Sequence, residues 1–308
     1  MVEKKRIVLD CDPGVDDALA IVLALNSGKV DLRGITTVSG NVGVDQTTLN
    51  ARRLLDYLGA DVPVSRGAGR PLRVPPFHAK SVHGRDGLGD SPLLSPASSR
   101  GIEPEGAAEF IVRSVESGVR TIVATGPLTN VARAFQRGGT TMDAVEQLVI
   151  MGGAVHVPGN VDSLSEFNFY ADPDAADYVL QRTGVPKVLV PLDVTHRVVL
   201  TSAGLEGISD SRAGRLVKSV FGRFRQEYAR EGFKGGPLHD PLAMGYCIDE
   251  TFLDLRPTMV RVETTGAYTR GACVPEERPW VDAKANVSVA LGVDSERFLE
   301  YFEEVVSR

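Results

Sequence analysis

Short runs rich in β-branched residues alternate with stretches whose apolar positions recur every three or four residues, and this alternation holds to about residue 200. "RIVLDC" precedes the helical "VDDALAIVLALNSG", "LRGITTVSG" precedes "QTTLNARRLLDYLGA", and "VPVSRG" leads to "EGAAEFIVRSVESG". "TIVATG" is then followed by "LTNVARAFQRG", "QLVIMGG" by "PDAADYVLQRTG", and "KVLVPLDVT" supplies a further strand. Strand and helix in regular succession predict an α/β fold built on a parallel sheet. Beyond residue 200 the rhythm changes. A polar helical segment, "SRAGRLVKSVFGRFRQEYAREG", leads through "FKGGP" to "LHDPLAMGYCID", two β-like runs, "TMVRVETTG" and "NVSVALGVD", and a final amphipathic helix, "SERFLEYFEEVVSR".

One connection stands out. The stretch 66–100, rich in Gly, Pro and Ser and carrying "HGRDGLGD", is too long for a plain link in a compact domain, and long loops of this kind usually serve function. No internal repeat or low-complexity tract interrupts the chain.

The 308 residues are 43% hydrophobic and 24% charged, the balance of a soluble globular protein able to bury a large core, and they predict a single domain over 1–308. The net charge of −6, with Lys and Arg scattered, argues against nucleic acid as a partner. No apolar run approaches transmembrane length and no secretory pattern opens the chain, so the expectation is a cytoplasmic protein without membrane contact. Cys11, Cys247 and Cys273 are far apart and lack CxxC spacing, which predicts reduced, buried thiols.

The first strand and helix carry four carboxylates, Asp10, Asp12, Asp16 and Asp17, around a Pro13-Gly14 turn. Helix capping accounts for one or two of them, at about 0.5–2 kcal/mol. It does not account for four, because like charges a few ångströms apart are costly unless a cation or a dense hydrogen-bond network compensates. Hard oxygen donors without Cys or a His cluster favour calcium or magnesium over zinc. The spacing is not an EF-hand, whose sixth and twelfth positions would fall on Val15 and Ile21, and a turn with one glycine and several aspartates repels phosphate.

Ligands of open α/β sheets gather beyond the carboxyl ends of the strands. Those ends carry Asn41, Thr125, Met151 and Asp193, and beyond them lie Asn160, Glu166, Phe167, Asn168, His239 and Asp240. Each has an ordinary structural explanation as a turn residue, a cap or a satisfied buried side chain. Their common edge is what marks them as a candidate site.

In these residues the chain resembles the inosine-uridine-preferring nucleoside hydrolases over essentially its whole length. The resemblance rests on "DCDPGVDDA" (10–18), "ITTVSGN" (35–41), "HGRDGLG" (83–89), "TGPLTN" (125–130), "MGG" (151–153), "SEFNFYADPDAA" (165–176) and "HDP" (239–241), in family order. It implies a single open, mostly parallel Rossmann-like sheet flanked by helices, with the active site at the carboxyl ends of the strands. It also implies calcium held by Asp12, Asp17, the Thr125 carbonyl and Asp240, with Asp10 supporting the cluster from behind.

The activity implied is hydrolysis of the N-glycosidic bond of ribonucleosides to ribose and free base. Asp12 is then the candidate general base acting on water activated by calcium, and His239 the candidate proton donor to the departing base. Asp16 and Asn41 are expected at the 2′-hydroxyl, Asn160, Glu166 and Asn168 at the 3′- and 5′-hydroxyls, and Met151, Phe167 and His83 along the pocket. The single tryptophan, Trp280, lies outside any segment matching the tryptophan pair some relatives use on purines. Phe221, Phe224, Tyr228 and Phe233 occupy the base-contacting region in a register the sequence leaves open, and core packing is the commoner fate of aromatics at helical spacing. The family likeness further implies a homodimer or homotetramer.

Two other readings compete. A DxD-type phosphohydrolase would use Asp10 as nucleophile, but Pro13-Gly14 and the Asp16-Asp17 pair depart from that pattern. A calcium-stabilised nucleoside-binding protein without catalysis is the other, and joint retention of Asp12, Asn168 and His239 argues against it.

Overall fold

A computed structural model describes residues 4–308. Its strands are β1 (Lys5–Cys11), β2 (Val30–Thr37), β3 (Val64–Arg66), β4 (Thr121–Ala124), β5 (Gln147–Met151), β6 (Lys187–Val190), β7 (Val199–Thr201), β8 (Gly235–Pro237), β9 (Leu253–Val262), β10 (Cys273–Glu276) and β11 (Val287–Val293). Nine of them form one sheet in the order β10-β9-β11-β6-β5-β4-β1-β2-β3, and β7 pairs with β8 in a separate ribbon. From β11 to β3 every neighbouring pair is parallel, whereas β9 runs antiparallel to β11 and β10 antiparallel to β9.

The expected open, mostly parallel α/β sheet is therefore present. Chain order reverses between β1 and β4, the switch point at which two successive strands leave in opposite directions and open a crevice beyond their carboxyl ends.

Alternation along the strands builds two cores. Ile7, Leu9, Val123, Val149 and Val188 point to one face, where helices Val15–Asn26, Val44–Leu58, Arg212–Arg230, His239–Ile248 and Ser295–Val306 cover them. Val8, Ile122, Ile150 and Leu189 point to the other, under helices Ala107–Glu116, Thr129–Gly138 and Pro173–Arg182. The strands between are buried on both sides, which is why they read as continuous apolar runs.

The structure corrects some expectations. "KVLVPLDVT" is not one strand: β6 ends at Val190, Pro191 follows, and Leu192–Thr195 is a short helix. A proline has no N–H to continue the ladder, so the strand stops there. Among the cysteines, Cys11 and Cys247 are buried but Cys273 is only half-buried, since it lies on the outermost strand. The long loop 66–100 holds one short helix, Lys80–His83, and is pinned by the buried Arg53, whose guanidinium donates to Asn50, Asp86 and the carbonyls of Leu94 and Ser95.

The C-terminal helix braces the helices that carry the candidate site. Phe298 is fully buried, meets Phe252 edge-on at 5.3 Å, and its helix touches both Val15–Asn26 and His239–Ile248. Phe298→Ala is expected to cost about 3–5 kcal/mol, the range for truncating a fully buried aromatic. Denaturant unfolding reads this directly, and a loss below about 1 kcal/mol would show that the helix is not a brace.

Candidate active site

The turn after β1 is where the carboxylates gather. Asp10 is the penultimate residue of the strand, Asp12 follows its end, and Gly14 caps helix Val15–Asn26, whose first turn holds Asp16 and Asp17. Asp240 arrives from the first turn of helix His239–Ile248, which packs against Val15–Asn26. None of these five aspartates is more than 6% exposed.

Carboxylate oxygens of Asp16, Asp17 and Asp240 lie within 4.8 Å of one another. Asp12 stands beside this triplet rather than in it. Its Oδ2 accepts the Asn41 backbone N–H at 2.6 Å, while its Oδ1 makes no hydrogen bond among the described residues. Asp17 is the best-held member, accepting from the Gly14 N–H at 2.9 Å, the Thr125 hydroxyl at 3.0 Å and the Asn41 amide at 3.2 Å. Asp10 sits behind, with Oδ1 bonded to Thr36 and Asn130 and a buried Oδ2 that has no partner among the described residues.

Among the described residues no Lys or Arg pairs with any of these carboxylates. Burial first, and then mutual repulsion, pushes Asp12, Asp16 and Asp240 well above the usual carboxylate range. Burial raises Asp17 as well, against the hydrogen bonds from Gly14 and Thr125, and drives Asp10 up to about 7. A donor set of clustered, buried, uncompensated oxygens fits a hard divalent cation.

The cluster forms the floor of a cavity of about 200 Å³. Asp12, Asp16, Asn41, His83, Thr125, Met151, Asn160, Glu166, Phe167, Asn168, His239 and Asp240 all line it, whereas Asp10, Asp17 and Asp193 do not. Asp193 was expected at a strand end; it belongs instead to the short helix after β6 and accepts the backbone N–H groups of Val155 and His156.

Elsewhere in the lining, Glu166 caps the helix Phe167–Ala171. Its carboxylate accepts the N–H groups of Gly153, Asn168 and Phe169, and burial nonetheless raises it to about 7. The Asn168 amide nitrogen donates to the carbonyls of Thr125 and Met151, which leaves its oxygen as the free acceptor. Asn160, exposed at the rim, accepts the Phe167 N–H.

Two histidines face the same space in neutral form. The Val15 N–H donates to His83 Nδ1 at 3.1 Å, so the ring proton is on Nε2, and burial pushes the imidazolium pKa down to about 3. His239 lies between two hydroxyls, Tyr228 at 2.7 Å from Nε2 and Thr195 at 2.8 Å from Nδ1. Burial, with His196 and His83 nearby, holds it well below the ordinary histidine value.

Sequence reasoning missed part of the wall. Phe77 and His78 come from the long loop, where "PPFHAK" carries no periodicity to place them, and Glu231 follows the end of helix Arg212–Arg230. The aromatic register is now settled: Phe224 and Tyr228 line the cavity while remaining almost fully buried, Phe221 is core, and Phe233 packs on Tyr228 and His196. Trp280 is 77% exposed and lies outside the cavity.

Comparison with known proteins agrees with this geometry. A family profile described as inosine-uridine preferring nucleoside hydrolase matches residues 7–300. The chain is 36% identical to the non-specific ribonucleoside hydrolase RihC of Escherichia coli, covering 98% of each chain. It is 37% identical to the pyrimidine-specific ribonucleoside hydrolase RihA of Salmonella arizonae, over 97% of each. The solved structure of a purine-preferring ribonucleoside hydrolase from Gardnerella vaginalis superposes with a TM-score of 0.91 at 35% identity, covering 98% of both chains. The family profile, the two enzymes and the superposed structure agree over nearly the full length, and the chain belongs to the inosine-uridine preferring nucleoside hydrolases, enzymes that hydrolyse the N-glycosyl bond of ribonucleosides.

Proposed function

We propose that this hydrolase releases ribose and free base from pyrimidine and inosine-type ribonucleosides, and that it uses calcium. The convergence of buried, unpaired carboxylates on the cavity floor carries this reading. Asp12, Asp17, Asp240 and the Thr125 carbonyl are the residues that would hold the ion. Bound there, calcium would supply a Lewis acid for water and a chelating site for the vicinal ribose hydroxyls.

The chain's own residues divide the remaining work. Asp12, with Oδ2 tied to the Asn41 N–H and Oδ1 free, takes the proton of the attacking water. Asp16 and Asn41 orient the 2′-hydroxyl. Glu166 and the free oxygen of Asn168, with Asn160 at the rim, grip the 3′- and 5′-hydroxyls, and such remote contacts hold the sugar for reaction. Carboxylates around the ribose also favour the positive charge that develops as the glycosidic bond breaks.

Departure of the base is assisted from the opposite end. Thr195, His239 and Tyr228 form one hydrogen-bonded chain that reaches the cavity. The leaving base nitrogen takes one proton from this chain as its bond to the ribose breaks, and the chain is reprotonated from solvent when Asp12 sheds the proton it took from water. The relatives named above differ in base preference, so likeness does not choose one. The absence of a tryptophan pair from the cavity lining, which offers Phe224, Tyr228 and His83 instead, supports pyrimidine and inosine-type substrates over a purine-only range.

Release of base and ribose from uridine, cytidine, inosine, adenosine and their 2′-deoxy forms tests this. Ribonucleosides are expected to be cleaved, deoxyribonucleosides poorly, and a calcium chelator to abolish turnover until calcium is restored. Chelator-insensitive cleavage would refute the role given to calcium. His239→Ala is expected to slow uridine or inosine about 100-fold or more, within the range of general acid catalysis, and a p-nitrophenyl riboside less than about fivefold, because that leaving group needs no proton. Equal losses on both substrates would assign His239 elsewhere, for instance to holding Asp240.

A further inference from the structure

Helix Thr129–Gly138 begins with two residues that tie the root of the long loop to the sheet in different ways. Thr129 donates its hydroxyl to Asp172 at 2.6 Å, and Asp172 accepts the Leu72 N–H at 2.9 Å, which anchors the loop and nothing else at the crevice. Asn130, only 1% exposed, makes a different set of bonds. Its amide nitrogen donates to Asp10 Oδ1 at 2.8 Å and to the Thr37 carbonyl at 3.0 Å, and its oxygen accepts the Ala68 N–H at 2.8 Å. Both N–H groups and the oxygen are thus spent on three separate segments: the end of β1, the end of β2 and the loop.

These three segments meet around Asp12. The Thr37 carbonyl is held by Asn130, the Val38 N–H bonds to the Cys11 carbonyl at 3.0 Å, and the Ser39 N–H bonds to the Ala68 carbonyl at 2.9 Å. The next residues reach the carboxylate itself: Gly40 lies so close that an added Cβ would overlap Asp12 Oδ2, and the Asn41 N–H donates to that oxygen. Gly67 passes over Asn130 and the Thr37 carbonyl with the same lack of room for a side chain. Segment 37–41 is therefore fixed at one end by Asn130, directly and through Ala68, and presses on Asp12 at the other.

We propose that Asn130 is a positioning residue for the hydrolysis, one that locks the ends of β1 and β2 and the loop root into a single frame and so fixes the orientation of the Asp12 carboxylate. Asn130 touches no substrate in this scheme; it acts through Thr37, Ala68 and Asp10. The proposal rests on Asp12 acting in ribonucleoside hydrolysis. The polar network is fully satisfied at Asn130, as a rigid positioning device requires, and a shift of about 1 Å in a reacting group can cost about 100-fold in rate.

The test compares Asn130→Asp with Thr129→Val at saturating calcium. Asn130→Asp keeps the volume and an acceptor for the Ala68 N–H but replaces a two-donor amide with a carboxyl that can serve at most one of Asp10 and the Thr37 carbonyl, whereas Thr129→Val cuts the neighbouring loop anchor and leaves the Asp10 and Thr37 contacts alone. We expect Asn130→Asp to lower kcat on uridine or inosine by about tenfold or more and to change KM by less than it changes kcat, because Glu166, Asn168 and Asn160 are held by bonds that do not involve Asn130. Thr129→Val is expected to keep kcat, with thermal melting showing both proteins folded at the assay temperature. Should Asn130→Asp fail to fold, Asn130→Ser carries the same comparison, its hydroxyl able to satisfy one acceptor and to retain part of kcat. An unchanged kcat in the Asn130 variant, or an equal loss in the Thr129 variant, would reduce Asn130 to a structural tie. Absence of turnover by the wild-type protein on the whole nucleoside panel would instead overturn the hydrolytic reading beneath it.

Discussion

Five aspartates brought to one crevice, each buried and none paired with Lys or Arg among the described residues, are the arrangement to which the rest of this protein is fitted. Burying a carboxylate is costly, and burying several side by side is costlier still, because desolvation and repulsion act together. The fold meets part of that cost with backbone and hydroxyl donors, most fully at Asp17, and leaves the remainder to a cation. Placement at the switch between β1 and β4 makes this possible. There the strand ends diverge, two helix N-termini point inward, and positive ends of helix dipoles face the carboxylates of Asp16, Asp17 and Asp240.

The rest of the cavity complements that floor. One wall, built from Glu166 and Asn168, is preorganised by backbone N–H and carbonyl partners, so it presents fixed acceptors to the cavity. The other end is aromatic and carries two histidines kept neutral by burial, His239 held at both ring nitrogens and His83 at Nδ1. In the proposed reaction these two ends divide the work: the carboxylate floor with its bound cation would hold the ribose, and the histidine end would deliver a proton to the base. The Asn130 frame then joins the floor to the loop that supplies Phe77 and His78.

Much of this was legible in the sequence, for identifiable reasons. Strand–helix periodicity specified the parallel sheet, because the central strands are buried on both faces and most flanking helices on one, although helices Val15–Asn26 and His239–Ile248 are buried almost all round. The strand-end residues Asn41, Thr125 and Met151 were found by position alone, and all three line the cavity. Asp193 was misplaced because "VLVPLDV" reads as one apolar strand, whereas Pro191 ends the ladder and turns the chain into a short helix that aims Asp193 elsewhere. Phe77, His78 and Glu231 escaped because loop residues carry no period, and the register of Phe221, Phe224, Tyr228 and Phe233 stayed open because an aromatic at helical spacing looks the same whether it only packs or also lines a cavity. Asp16 showed the limit of spacing in another way: its neighbour Asp17 was the expected ligand, yet in three dimensions both stand with Asp240.

The claim that the carboxylate floor holds a hard dication is tested most directly by isothermal titration of chelator-stripped protein with calcium. The account predicts one ion per chain, protons released as the raised carboxyl groups ionise, and loss of this binding in Asp240→Asn. Absence of calcium binding by folded protein, or binding undiminished in Asp240→Asn, would contradict it.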